Sequence, residues 1–161
     1  MSLNKYKPHL LVLPEDDANR QIANGFLRHS NLNNRVIQVL PEASGWRDVI
    51  EKFKNNYAST MRQYSLRFIV LLIDFDNTVN RLEKINQDIP EDLKDRVFVI
   101  GVQSNPEDLK KSINKNFEGI GLNLANDCDD DTKELWSHQL LKHNQAELNR
   151  LNSNVKPFLF N

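Results

Sequence analysis

Phe68-Ile69-Val70-Leu71-Leu72-Ile73-Asp74-Phe75-Asp76-Asn77-Thr78 decides how this chain is read. Six apolar residues run without a break into two carboxylates spaced i, i+2. A short, fully apolar run of this kind predicts a strand buried on both faces of a parallel sheet. Strand side chains alternate faces, so Asp74 and Asp76 are expected on the same side. The C-terminal edge of such a strand is where open α/β sheets bind ligands. Two carboxylates there suit a hard divalent cation.

Outward from this strand, apolar runs alternate with helical periodicity. His9 to Leu13 reads as strand 1, and Asp17 to about His29 as a helix with Ile22, Phe26 and Leu27 on one face. Arg35 to Leu40 reads as strand 2, and Trp46 to about Tyr64 as a helix through Val49, Ile50, Phe53, Tyr57 and Met61. Strand 3 covers Leu66 to Asp74, followed by a short helix over Thr78 to Asn86. Arg96 to Val102 is strand 4, and Asn105-Pro106 opens a helix that reaches about Asn116. Glu118 to Asn126 reads as a mixed segment, an edge strand or loop. A long C-terminal helix is expected over about 129–151, with Trp136, Leu140, Leu141, Leu148 and Leu151 on its apolar side. Val155 to Phe160 reads as a tail docked on the body.

Strand–helix alternation implies parallel pairing with right-handed crossovers. The expected fold is a single α/β domain over residues 1–161. It is a three-layer α/β/α arrangement with a mostly parallel sheet in the order 2-1-3-4. That order matters because Glu15 follows strand 1 as Asp74 follows strand 3. With strands 1 and 3 adjacent, Glu15, Asp74 and Asp76 converge on one pocket. Three such carboxylates stay ionised together only beside a cation. Magnesium fits, since it takes a few carboxylates and leaves positions for water and phosphate oxygens.

The composition narrows the partners. With 21 Lys+Arg against 22 Asp+Glu, the net charge of −1 argues for no global attraction to nucleic acid or membrane. Cys128 is the only cysteine, so an intrachain disulfide is excluded and a reducing, cytoplasmic setting is expected. No apolar stretch is long enough for a membrane span, and Met1 to Pro8 is too polar for a signal peptide.

Strand–Glu–helix, strand, then strand–Asp-x-Asp resembles the Toprim domain of topoisomerases, primases and certain nucleases. The likeness covers Glu15, Asp74 and Asp76 within about residues 9–102, with Asp74 59 positions after Glu15. It implies a Mg²⁺ (or Mn²⁺) site with Asp74 and Asp76 as ligands. Glu15 would then serve as general acid or base and as a further ligand. The implied activity is phosphodiester chemistry on nucleic acid, most simply hydrolysis. The chain departs from the pattern at Asp16, where many Toprim domains carry Gly, and at Asn77-Thr78.

Asp74-Phe75-Asp76-Asn77-Thr78 also resembles the first motif of haloacid-dehalogenase-like phosphatases. There Asp74 would be the nucleophile and Asp76 the general acid. Ser104 would stand for the second motif, Lys110, Lys111 or Lys115 for the lysine, and Asp127 or Asp129 to Asp131 for the last acidic motif. That family places Asp-x-Asp on its first core strand, whereas two strand–helix units precede it here. A non-catalytic binding or regulatory module is the third reading.

Accessory candidates each have a structural alternative. Asp16 and Asp17 suit a helix cap and an acidic first turn as well as a metal site. Asp127 and its acidic neighbours suit an N-cap as well as a second metal site. Lys110 and Lys111 suit a solvated helix face as well as phosphate contacts. Trp46 and Trp136 read as core residues.

Overall fold

The computed structural model describes residues 3–161. Four strands, β1 (His9–Pro14), β2 (Ile37–Val39), β3 (Arg67–Leu72) and β4 (Val97–Ile100), form one sheet. Every pairing is parallel and the order is β2-β1-β3-β4.

Alternation along the strands divides the core. Leu10, Val12, Val70, Phe98 and Ile100 face one side, beneath α1 (Asp17–Phe26), α6 (Phe117–Asp130) and the C-terminal helices α7 (Gln145–Asn154) and α8 (Lys156–Leu159). Leu11, Leu13, Ile69, Leu71, Val97 and Val99 face the other. There they meet α2 (Trp46–Lys52), α3 (Ala58–Gln63) and α4 (Arg81–Asp88). The arrangement is three-layer α/β/α, and both faces of the parallel sheet are covered, as such sheets require. A π-helical turn, Phe53–Tyr57, joins α2 to α3 without breaking the run. The helix α5 (Pro106–Ile113) starts as expected, with Asn105 Oδ1 accepting from Asp108 N and Pro106 in the first turn.

The pair α1–α6 crosses so closely that glycine is required at the contact. A Cβ on Gly121 would lie 1.9 Å from the Ile22 carbonyl oxygen. Gly121→Ala therefore has to push two backbones apart, and it is expected to cost about 3 kcal/mol. Urea unfolding measures this, and a cost below about 0.5 kcal/mol would contradict the packing.

The C-terminal third departs from expectation. Residues 118–126 lie in α6 rather than in an edge strand or loop. The helix expected over 129–151 is replaced by the end of α6, an irregular segment and α7. Asp131 ends α6 in a left-handed conformation, φ +57°. The reason is Asp127, whose buried carboxylate accepts from the Thr132 hydroxyl and from the backbone N–H groups of Glu134, Leu135 and Trp136. A charged acceptor satisfying three backbone donors outweighs continuation of the helix. Trp136 and Leu141 are thereby buried from a loop. The tail docks as expected: Val155 and Leu159 are buried, and Phe160 bridges to Leu32. Asp127→Ala is expected to cost about 3–5 kcal/mol in thermal or urea unfolding, by stranding buried N–H groups. A loss under 1 kcal/mol would contradict this role.

Candidate functional site

Register explains which carboxylates meet. The parallel pairing aligns His9 with Arg67 and runs to Pro14 opposite Leu72. Continued two residues, it places Asp16 level with Asp74. The Glu15 N–H donates to the Leu72 carbonyl at 2.9 Å, which holds Glu15 against the end of β3. Glu15 Oε1 in turn accepts from the Asp74 N–H at 3.1 Å. One oxygen from each of Glu15, Asp16 and Asp74 lies within 4.8 Å of the others.

Asn19 binds this cluster together. Its Nδ2 donates to Asp16 Oδ1 at 2.9 Å and to Asp74 Oδ1 at 2.8 Å. Asp16 is also the N-cap of α1, accepting from the Asn19 N–H at 3.0 Å. The cap and the site are thus one structure, and the positive end of α1 points into it.

The carboxylates are strongly perturbed. Asp74 is 6% exposed and Glu15 is 7% exposed. Burial pushes the Asp74 carboxyl up to about 8; the Asn19 hydrogen bond opposes this, while the charges of Glu15 and Asp16 add to it. Burial also raises Glu15, opposed by its bond to the Asp74 backbone and helped by the Asp16 charge.

Asp76 is not brought into the cluster. The chain stays extended through Phe75, whose N–H donates to the Val102 carbonyl. Asp76 and Asn77 then turn left-handed, with φ +49° and +55°. This cancels the alternation that puts i and i+2 on one side. The Asp76 carboxylate pairs instead with Arg81, the first residue of α4. Arg81 Nη1 also donates to the Asp74 carbonyl at 2.8 Å, and its guanidinium stacks 4.8 Å from the Trp46 ring centroid. Thr78 closes the turn, donating its N–H to the Phe75 carbonyl, three residues before α4 begins.

Comparison of the chain with protein-family models, curated proteins and solved structures finds no match.

The remaining candidates scatter. Asp17 is exposed and pairs with Arg20 and Gln21. Ser104 is buried behind the Asp76 turn, where its carbonyl accepts from the Asp76 N–H and its hydroxyl has no partner. Lys110 and Lys111 are exposed in the last turn of α5, with Lys110 over the Phe117 ring; neither pairs with the carboxylates. Asp127 is committed to the loop after α6. The residues that sequence reasoning missed are Asn19 and Arg81. Asn19 sits on the buried face of α1 with Ile22 and Ala23, an unusual place for an unpaired amide. Arg81 is a cation at a helix N-terminus, where the dipole disfavours it.

The donor set fits a hard cation. Three carboxylates supply oxygen, and Asn19 Oδ1, beside them, is buried without a protein partner. Octahedral magnesium with bonds of about 2.0–2.1 Å sets adjacent ligand oxygens about 3 Å apart and opposite ones about 4.2 Å apart. Three carboxylate oxygens all within 4.8 Å of one another are close enough for side-chain adjustment to bring them onto one such ion. Soft ligands are absent from the cluster, and Cys128, whose thiol burial pushes up to about 11, is not among its members.

Proposed function

We propose that this protein performs Mg²⁺- or Mn²⁺-dependent phosphodiester hydrolysis on nucleic acid, in the manner of nuclease-type Toprim domains. The observation that carries the proposal is the convergence of Glu15, Asp16 and Asp74 at the C-terminal edge of adjacent parallel strands. These three residues would hold the cation, with Asp16 taking the place first expected of Asp76. A bound divalent cation stabilises charge developing on a phosphate and lowers the pKa of a bound water. Glu15 keeps one oxygen on the Asp74 N–H, which orients the carboxylate and leaves Oε2 to take or give a proton. Asn19 fixes the relative positions of Asp16 and Asp74. Arg81 holds the Asp76 turn and carries positive charge beside the cluster.

A cytoplasmic setting belongs to the same proposal, supported by the single cysteine. No helix among the described residues is long and apolar enough to cross a membrane. The phosphatase reading is less well supported, because the Asp76 carboxylate needed as general acid is tied to Arg81.

The test is incubation with single- and double-stranded DNA and RNA, and separately with a phosphate monoester, in Mg²⁺ or Mn²⁺. Cleavage of polynucleotide that EDTA stops, and that Glu15→Gln lowers by about 10²–10⁴-fold, is the expected result. Monoester hydrolysis alone would favour the phosphatase. Metal binding without cleavage of any substrate would leave a binding module.

A further inference from the structure

The opposite edge of the sheet carries a second charged site. Arg67 opens β3 and is 7% exposed, yet no carboxylate lies within ion-pair distance of it among the described residues. Its Nε donates to His9 Nε2 at 2.9 Å. The other ring nitrogen of His9 meets the Lys7 carbonyl at 2.8 Å, so His9 donates from Nδ1 and accepts at Nε2. His9 is therefore neutral and gives Arg67 no counter-charge, and burial with the nearby cations lowers its pKa in keeping with this. The terminal amino groups of Arg67 have no acceptor among the described residues and open to solvent, while the rest of the side chain is enclosed. Arginine does not shed its proton, so this largely enclosed cation presents its free donors outward without a counter-charge.

More cations and donors gather there. The Arg67 guanidinium lies 5.0 Å from the Tyr64 ring centroid, and Lys5 Nζ lies 5.3 Å from the same centroid. Tyr6, 81% exposed, packs edge-on against Tyr64. Tyr57 ends the π-helical turn, and the Arg67 charge acts on its hydroxyl. Such turns occur preferentially at functional sites. Cation–π contact with Tyr64 offsets part of the cost of enclosing the charge, about 2 kcal/mol or more where it is desolvated, and leaves the terminal donors free.

We propose that this edge binds a phosphate-type oxyanion, with Arg67 as the central cation and Lys5, over the same Tyr64 ring, beside it. The ligand is either free orthophosphate or a backbone phosphate of a nucleic acid strand. The site lies about 20 Å from the carboxylate cluster, the length of a six-residue strand. It stands independently of the hydrolase reading.

Thermal melts in EDTA test it, with orthophosphate set against sodium chloride of equal ionic strength. Orthophosphate at ten times its Kd is expected to raise Tm by about 3–6 °C beyond chloride. Arg67→Leu is expected to melt no lower than the wild type without phosphate and to lose the response. Should that variant not fold, Lys5→Ala carries the test, weakening apparent Kd about two- to fivefold. Asp74→Asn should keep the full response, which separates this site from the metal centre. A short oligothymidylate followed by anisotropy identifies the source. Weakening of its binding by Lys5→Ala means a strand phosphate, and a response to orthophosphate alone means the free ion. No phosphate shift beyond chloride, or a shift in Arg67→Leu and Lys5→Ala equal to that of the wild type, overturns the proposal.

Discussion

Asp74→Asn is expected to raise the stability of the metal-free protein at pH 8 while removing its response to Mg²⁺. A carboxyl whose pKa moves from 3.8 to about 8 on folding costs on the order of 5 kcal/mol once ionised. The amide keeps an Oδ1 acceptor for Asn19 and the Asp74 N–H still reaches Glu15 Oε1, so the packing survives. Removing the buried charge, and with it the repulsion from Glu15 and Asp16, should recover about 2–4 kcal/mol, or roughly 5–10 °C in Tm. The same change removes a charged ligand from the cation, so millimolar Mg²⁺ should no longer shift Tm. Nuclease activity should fall at least about 10²-fold. Opposite signs on stability and on metal response distinguish a metal site from a structural carboxylate, whose loss would destabilise under all conditions. Equal destabilisation with and without Mg²⁺ would sink the metal assignment.

The metal-free wild type should lose stability as pH rises. Asp74 has a folded pKa above its unfolded value. Its contribution is fully present below about pH 4 and is lost as pH climbs through about 8. Glu15 shifts in the same direction and steepens the loss. Cation binding requires these carboxylates to be deprotonated, so the proton competes with the metal. Stabilisation by 10 mM Mg²⁺ should be small near pH 5 and grow toward pH 8.5. Melts across this range, in EDTA and in Mg²⁺, measure both curves. Metal stabilisation that does not change with pH would exclude Asp74 and Glu15 as the ligands.

The two resemblances drawn from Asp74 to Thr78 part at Asp76. Both would use its carboxylate, as ligand or as general acid. The left-handed backbone at Asp76 and Asn77 and the pairing with Arg81 turn it elsewhere. Asp16 is brought in instead, because the register of β1 on β3 sets it level with Asp74.

Sequence alone determined the strands, their parallel pairing and the order 2-1-3-4, because apolar runs of strand length alternate with helical periodicity and leave few topologies. It also determined that Glu15 and Asp74 meet, since parallel strands that are neighbours end at one edge. Tertiary structure decided the rest. Pairing register depends on contacts between residues 58 apart, such as His9 with Arg67, which no local pattern encodes. The turn at Asp76 is held by Arg81 from a later helix and by the carbonyls of Gln103 and Ser104. The end of α6 rests on Asp127 finding donors up to nine residues ahead, once Trp136 has a sheet face to cover. Asn19 acquired its role only because α1 lies over the end of β3, where one amide reaches both Asp16, three residues before it, and Asp74, 55 residues after it.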